Sequence, residues 1–227
     1  MSRPSQPCER ALRADAERNR GRIIAAARAV FAEQGLDASM NEVARQAGVG
    51  VATLFRRFPT RDDLITATFA DKMSAYADAI TDALADPDPW HGFCAYVERV
   101  CAMQAQDRGF TDVLTVTFPA AKGFEAERDR AAAGFAELIG RAKATGQLRQ
   151  DFVHQDLVLL LMANAGVVAG TREAAPEAWR RLVAYLLQAF TTAAAEPLPA
   201  PPTAHAVPGP DAASAQPRLA AATSSRD

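Results

Sequence analysis

Arg56 and Arg57 stand side by side, with Thr53 one turn before them and Arg61 one turn after. Guanidinium groups present forked N–H donors that match phosphate oxygens and the acceptor edge of guanine. The rest of the chain offers little other chemistry. His91, His154 and His205 lie far apart, and Cys8, Cys94 and Cys101 are too few and too scattered for a disulfide framework or a zinc site. The sequence has no glycine-rich phosphate loop, no HExxH, no G-x-S-x-G and no paired-cysteine motif. No catalytic residue, metal or cofactor is therefore expected. His91, beside Trp90 at a helix start, reads as a surface or capping residue. Cys94 and Cys101 share a helix face and read as small buried apolar side chains, with a thiol-reactive pocket as the alternative.

The arginines belong to a stretch from Ser39 to Phe58 that reads as two short helices joined by a tight turn. Ser39 with Glu42 three residues on is a capping-box pattern. Val43, Ala44 and Ala47 give the first helix an apolar face, and Gly48 ends it as a left-handed cap. Val49 plugs the turn, Gly50 is the N-cap of the second helix, and Leu54 and Phe58, four apart, point into the core. Thr53, Arg56 and Arg57 are left outside. A short helix, a glycine turn and a basic second helix make a helix-turn-helix, whose second helix enters a DNA major groove.

The run GVGVATLFRRFPTRDDLITA resembles the DNA-binding motif of the tetracycline-repressor (TetR) family, over roughly residues 20–70. Gly50 replaces the usual Ser N-cap, Phe55 replaces the usual Tyr and lacks its hydroxyl, and Arg61 stands where Lys is commonest. The motif and the resemblance together give a candidate DNA-contacting set: Ser39, Asn41, Val51, Ala52, Thr53, Phe55, Arg56, Arg57 and Arg61. The resemblance also implies an effector pocket in the second domain, with Phe93, Tyr96, Val100, Met103, Phe118, Phe135, Met162 and Asn164 as its candidate lining. Most of these residues serve equally well as core. Asn164 differs, because a polar amide amid Leu and Val needs a partner, across a dimer or on a ligand.

Charge divides the chain in the sense a nucleic-acid reader requires. Residues 1–61 hold 11 Arg and no Lys against 6 Asp and Glu, a net of +5; residues 62–227 hold 14 basic against 21 acidic, a net of −7. No apolar run approaches the ~20 residues of a membrane span. That absence and the sparse cysteines point to the cytoplasm.

Taken in order, residues 1–19 read as a flexible arm, either one whose Arg3, Arg10, Arg13 and Arg18 touch phosphates or a minor groove or simply a solvated tail. Periodicity gives a first helix over residues 20–34, stopped by Gly35. Thr60 and Asp63 repeat the capping pattern, so a long helix starts near Arg61 and runs to about Ala85, its N-terminus and Arg61 facing the DNA backbone. DPDPW (86–90) is the first domain punctuation. Helical stretches follow over 90–106, 110–118, 123–145, 154–170 and from Pro176. The stretch His154 to Gly170 is apolar nearly all round and must bury more than one face. Residues 196–227, with seven prolines, read as a disordered tail.

The expected fold is all-α: an arm (1–19), a three-helix helix-turn-helix DNA-binding domain (20–66), a helical effector-binding and dimerisation domain (67–195) and the tail. The expected function is that of a transcriptional regulator, a repressor, that binds a pseudo-palindromic double-stranded DNA operator as a homodimer and is released by a small-molecule effector. Two alternatives stay open: an architectural DNA-binding protein with a filled second domain and no effector, and a helical-bundle enzyme.

Overall fold

The computed structural model describes residues 6–115, 123–192 and 196–202, the side chains of 6–13 and 115 excepted. Among them it is helical throughout: α1 (Gln6–Gln34), α2 (Met40–Ala47), α3 (Val51–Arg57), α4 (Arg61–Ala85), α5 (Pro89–Gln106), α6 (Arg108–Thr115), α7 (Glu125–Ala144), α8 (His154–Thr171) and α9 (Ala178–Ala189). The extended pairing among these residues is a single bridge between Leu148 and Thr191.

The first helix starts well before Arg20. Between Pro7 and Gly21 the sequence has no helix breaker, and Ala11, Leu12, Ala14, Ala16 and the interspersed Arg and Glu are strong helix formers. Pairs one turn apart, Arg18 with Asp15 and Arg20 with Glu17, add support along the surface. From Gln6 onward the segment read as an arm is therefore helix; Arg3 lies outside the described residues. At the other end, the start of the proline-rich segment is tied down. Arg149 grips Asp151 with two nitrogens and donates to the Glu196 carbonyl at 2.7 Å, while Asp151 accepts from the Leu198 amide at 3.0 Å. These bonds hold the Asp151 carboxyl far below the usual carboxylate range.

Two clusters of buried side chains share α4. The lower one joins Ile23, Val30 and Phe31 of α1 to Leu54, Leu64 and Phe69, and takes in Phe110 and Val113 of α6 together with Phe124. The upper one gathers Ile80, Phe93, Tyr96, Phe135, Phe152 and Trp179. The packing thus divides near Tyr76, within α4, and α6 sits with the reader. Asp107 explains why α6 begins where it does. Its carboxylate accepts from the Phe110 amide at 3.1 Å as an N-cap and pairs with Lys72 of α4. Close approach is secured by Gly109, where an added Cβ would lie 2.8 Å from Phe69 and 2.9 Å from Phe31.

Candidate nucleic-acid interface

The helix-turn-helix closes with backbone and side-chain caps. The Ser39 hydroxyl accepts from the Asn41 amide at 3.2 Å, but Glu42 does not complete a capping box; its carboxylate pairs with Arg45 one turn on. That bond holds Glu42 below its ordinary ionisation range and Arg45 above. Gly48 adopts φ 63° and ψ 40°, which a residue with a Cβ enters only with strain, and its N–H returns to the last carbonyls of α2. Arg22 of α1 completes this end by donating to the Ala47 and Gly48 carbonyls at 2.9 and 3.1 Å. The sequence pattern gave no sign of that clamp, because it joins residues 25 and 26 apart. Gly50 is extended, α3 follows, and Leu54 and Phe58 are buried as the spacing requires.

Most of the residues expected to contact DNA are exposed. Ser39 and Asn41 mark the start of α2, Val51, Ala52, Phe55, Arg56 and Arg57 line the outer face of α3, and Thr53 is half-buried beside them. In the free protein each arginine has a resting partner. Arg56 folds back on its own helix, donating to the Ala52 carbonyl at 3.3 Å and the Thr53 hydroxyl at 3.1 Å. Arg57 reaches Glu17 of the extended α1 at 3.4 Å. Arg61 is half-buried, and one of its nitrogens donates to the Leu36 carbonyl in the α1–α2 loop. The same residue's amide donates to Asp112 of α6 at 3.1 Å, so the loop is held from both sides. This face offers guanidinium donors to phosphates or guanine and small apolar groups to a thymine methyl.

The residues expected to line an effector pocket separate into groups. Phe93, Tyr96 and Phe135 pack as core with Phe152, ring centroids 5.2–6.4 Å apart. Val100 is buried beside them. Met103 packs against the lower cluster. Met162 points outward from α8, 45% exposed, and so cannot line an interior site; Phe118 lies outside the described residues. Asn164 is fully buried and meets Gln104 and the Cys101 carbonyl of α5. Gln104 was absent from the expected lining, although a polar residue on the buried face of the 90–106 helix is the signal that finds it. None of the expected residues lines the groove of ≈ 380 Å³ between α5 and α9, which is walled by Glu98, Arg99, Trp179, Arg180 and Val183 among others. Burial pushes the Cys94 and Cys101 thiols up to about 12, the direction expected of thiols packed as small apolar side chains. His91 pairs with Asp86 at 2.6 Å, which raises its ionisation above the ordinary 6.5 and fits the surface role expected of it.

A three-helix reader with an exposed basic recognition helix, set on a helical body by one long shared helix, defines a helix-turn-helix DNA-binding transcription regulator. Residues 23–68 match the family model for bacterial regulatory proteins of the tetR family. Residues 88–190 match that for the C-terminal domain of SbtR-like transcriptional regulators. The chain belongs to the TetR family. An HTH-type transcriptional regulator of Staphylococcus aureus (strain USA300) is 43% identical over 54 residues, which are 23% of this chain and 29% of the relative. The chain therefore matches less than a third of that relative's length. The TetR transcriptional regulator SCO0520 of Streptomyces coelicolor is 30% identical, with 76% of this chain and 98% of that one covered and a TM-score of 0.49. Fold likeness extends to FadR of Bacillus subtilis, solved with stearoyl-CoA (17% identity, 73% and 96% covered, TM-score 0.56). It extends also to Mycobacterium smegmatis AmtR (18%, 75% and 85%, 0.55). The Staphylococcus, Streptomyces and Bacillus proteins are transcriptional regulators, and among the described residues of this chain no helix is long and apolar enough to cross a membrane.

Proposed function

We propose that the protein is an effector-released repressor that binds a pseudo-palindromic operator as a homodimer in the cytoplasm. The reader is assigned to residues 20–66 and the sensing and dimerising body to 67–195, with α4 running through both. The observation that carries the proposal is the pairing of two exposed faces. One is the basic face of α3. The other is an apolar stripe on α8, where Leu159, Met162, Ala163 and Gly166 share one side and are all exposed in a single chain, with Tyr185 of α9 also exposed. A stripe of that kind needs a partner, and a two-fold partner sets two α3 helices for successive major grooves, about 34–36 Å apart.

Sequence-contacting roles are assigned to Val51, Ala52, Thr53, Phe55, Arg56 and Arg57, and backbone-positioning roles to Ser39, Asn41 and Arg61. Effector control draws support from the ligand-bound FadR fold and from the buried polar group at Gln104 and Asn164. The architectural alternative draws on the packed Phe93–Phe135–Phe152 core. Selection of DNA sites with purified protein, followed by light scattering of the complex, tests the proposal. It expects an inverted repeat bound by two or four chains; selection of unrelated sequences, or of a single half-site by one chain, would overturn it.

A further inference from the structure

Two buried amide atoms in the body have no hydrogen-bond partner: Gln104 Nε2 and Asn164 Oδ1. Both residues are fully buried. Buried polar groups in native proteins are nearly always paired, so two orphans on a bonded pair of amides ask for a shared partner. The hydroxyl of Tyr96, two turns earlier on α5, is met by the Tyr76 hydroxyl.

The orphans on the amides are not an accident of which way each amide is turned. Asn164 Nδ2 lies 3.3 Å from the Cys101 carbonyl, which can only accept, so the nitrogen must face it. The same nitrogen lies 2.9 Å from Gln104, which must then present its oxygen. Gln104 is left with an NH₂ that has nothing to bond, and Asn164 with a bare carbonyl oxygen. No rotation of either amide satisfies both. The backbone of Gln104 offers no relief, since its carbonyl already accepts from the Thr111 hydroxyl and the Asp107 amide.

We infer that Gln104 and Asn164 form the polar end of the effector site and recognise an uncharged group that carries an acceptor beside a donor, such as a carboxamide, lactam or urea. The inference rests on the effector-released reading proposed above. The ligand's carbonyl accepts from Gln104 Nε2 and its N–H donates to Asn164 Oδ1. The ionic groups nearby are committed elsewhere. Lys72 pairs with Asp107, and Arg128 donates to the Val113 carbonyl. An anionic headgroup at the amides would therefore meet no counter-charge. The site also lies where its occupancy can be felt. Gln104 lies in the last turn of α5, at the corner leading to α6, and α6 holds the α1–α2 loop through Asp112.

The test uses the full-length protein, a panel of neutral probes (benzamide, 2-piperidone, phenylurea) and two controls, benzoate and ethylbenzene. Thermal melting and calorimetric titration at millimolar concentration are followed by operator release. The expected result is saturable binding of at least one neutral probe, at least tenfold weaker in Gln104→Met, with both controls inert. Gln104→Met removes the orphan donor together with the acceptor of the 2.9 Å bond from Asn164, so its ligand-free melting temperature should fall while its helical circular dichroism is kept. Probe affinity unchanged in Gln104→Met would overturn the inference. Binding of benzoate or ethylbenzene equal to that of the best neutral probe would overturn it while leaving effector release in place. If no compound of either set binds, the inference falls. If a broad library then also fails to release the operator, the effector-released reading falls separately.

Discussion

Arg56 and Arg57 are neighbours in sequence but ~100° apart around α3, so they do not serve the same atoms of DNA. Their resting contacts already differ: Arg56 lies along its own helix, while Arg57 points toward the N-terminal part of α1 and Glu17. Exposed pairs of this kind contribute ~0–1 kcal/mol and give way readily to a phosphate or a base. If Arg57 reads guanine, Arg57→Ala should relax preference at one base pair by ~1–3 kcal/mol. Affinity measured on operators varied one position at a time checks it; a uniform loss across all variants would reassign Arg57 to phosphate. Arg61 invites the opposite outcome. Its Leu36 bond makes it part of the reader's own structure, so Arg61→Ala should lower stability by ~1 kcal/mol. If its remaining donors also hold a phosphate, the salt slope of binding should flatten by about one unit with base preference unchanged. A melting temperature equal to wild type would mean that the loop bond contributes nothing. The exposure of Val51, Phe55, Arg56 and Arg57 was legible in the sequence because a helix of seven residues with Leu54 and Phe58 inside leaves few other orientations. The resting partners were not, since Glu17, Arg22 and Leu36 reach the motif only through the tertiary packing of α1.

At the scale of elements, the corner between α5 and α6 is where reader and body are joined. Asp107 is 3% exposed, caps α6 through the Phe110 amide and pairs with the partly exposed Lys72 of α4. Two functions in one carboxylate can be separated by substitution. Asp107→Asn keeps a capping oxygen and loses the charge, whereas Asp107→Ala loses both. The alanine variant should be less stable by ~2 kcal/mol and the asparagine variant by about half of that, read from urea unfolding midpoints. Equal losses would show that the ion pair alone matters. Helix positions from α2 to α9 followed from apolar periodicity and from breaks at Gly35, Gly48, Pro59, 86–89 and Gly146, because these signals are local. The start of α1 was missed for the converse reason. Residues 6–19 have few apolar side chains to show a period, and helix propensity with one-turn ion pairs is a weaker signal than burial. The placement of α6 in the reader's core was equally hidden, since nothing in GFTDV tells which of two clusters Phe110 and Val113 will join.

For the whole molecule, the decisive feature is the double phasing of α8. Leu157, Leu160, Leu161 and Asn164 form one stripe at helical spacing and are buried within the chain, while Leu159, Met162, Ala163 and Gly166 form a second, offset by two residues, and are exposed. Both stripes satisfy the 3.6-residue period, so the sequence could say that two faces need burial but not which residues belong to which. The structure assigns Leu160 to its own core, at 3% exposure, and moves any test of association to the outer stripe. Leu160→Arg would place an unpaired charge inside the fold and report on unfolding, not on assembly. Leu159→Arg and Met162→Arg, at 44% and 45% exposure, leave the core intact and place a charge in the middle of the proposed two-fold contact. Because a two-fold contact uses the same patch on both chains, the charge is introduced twice into one apolar interface. Either variant should therefore keep its helical circular dichroism and unfolding transition, run by light scattering at the mass of one chain, and lose affinity for the full operator. A half-site probe should by contrast be bound as weakly by wild type as by the variant. If both variants scatter as the wild type does and hold the operator equally well, the outer stripe of α8 is not the dimer contact, and the spacing of the two readers must be set elsewhere.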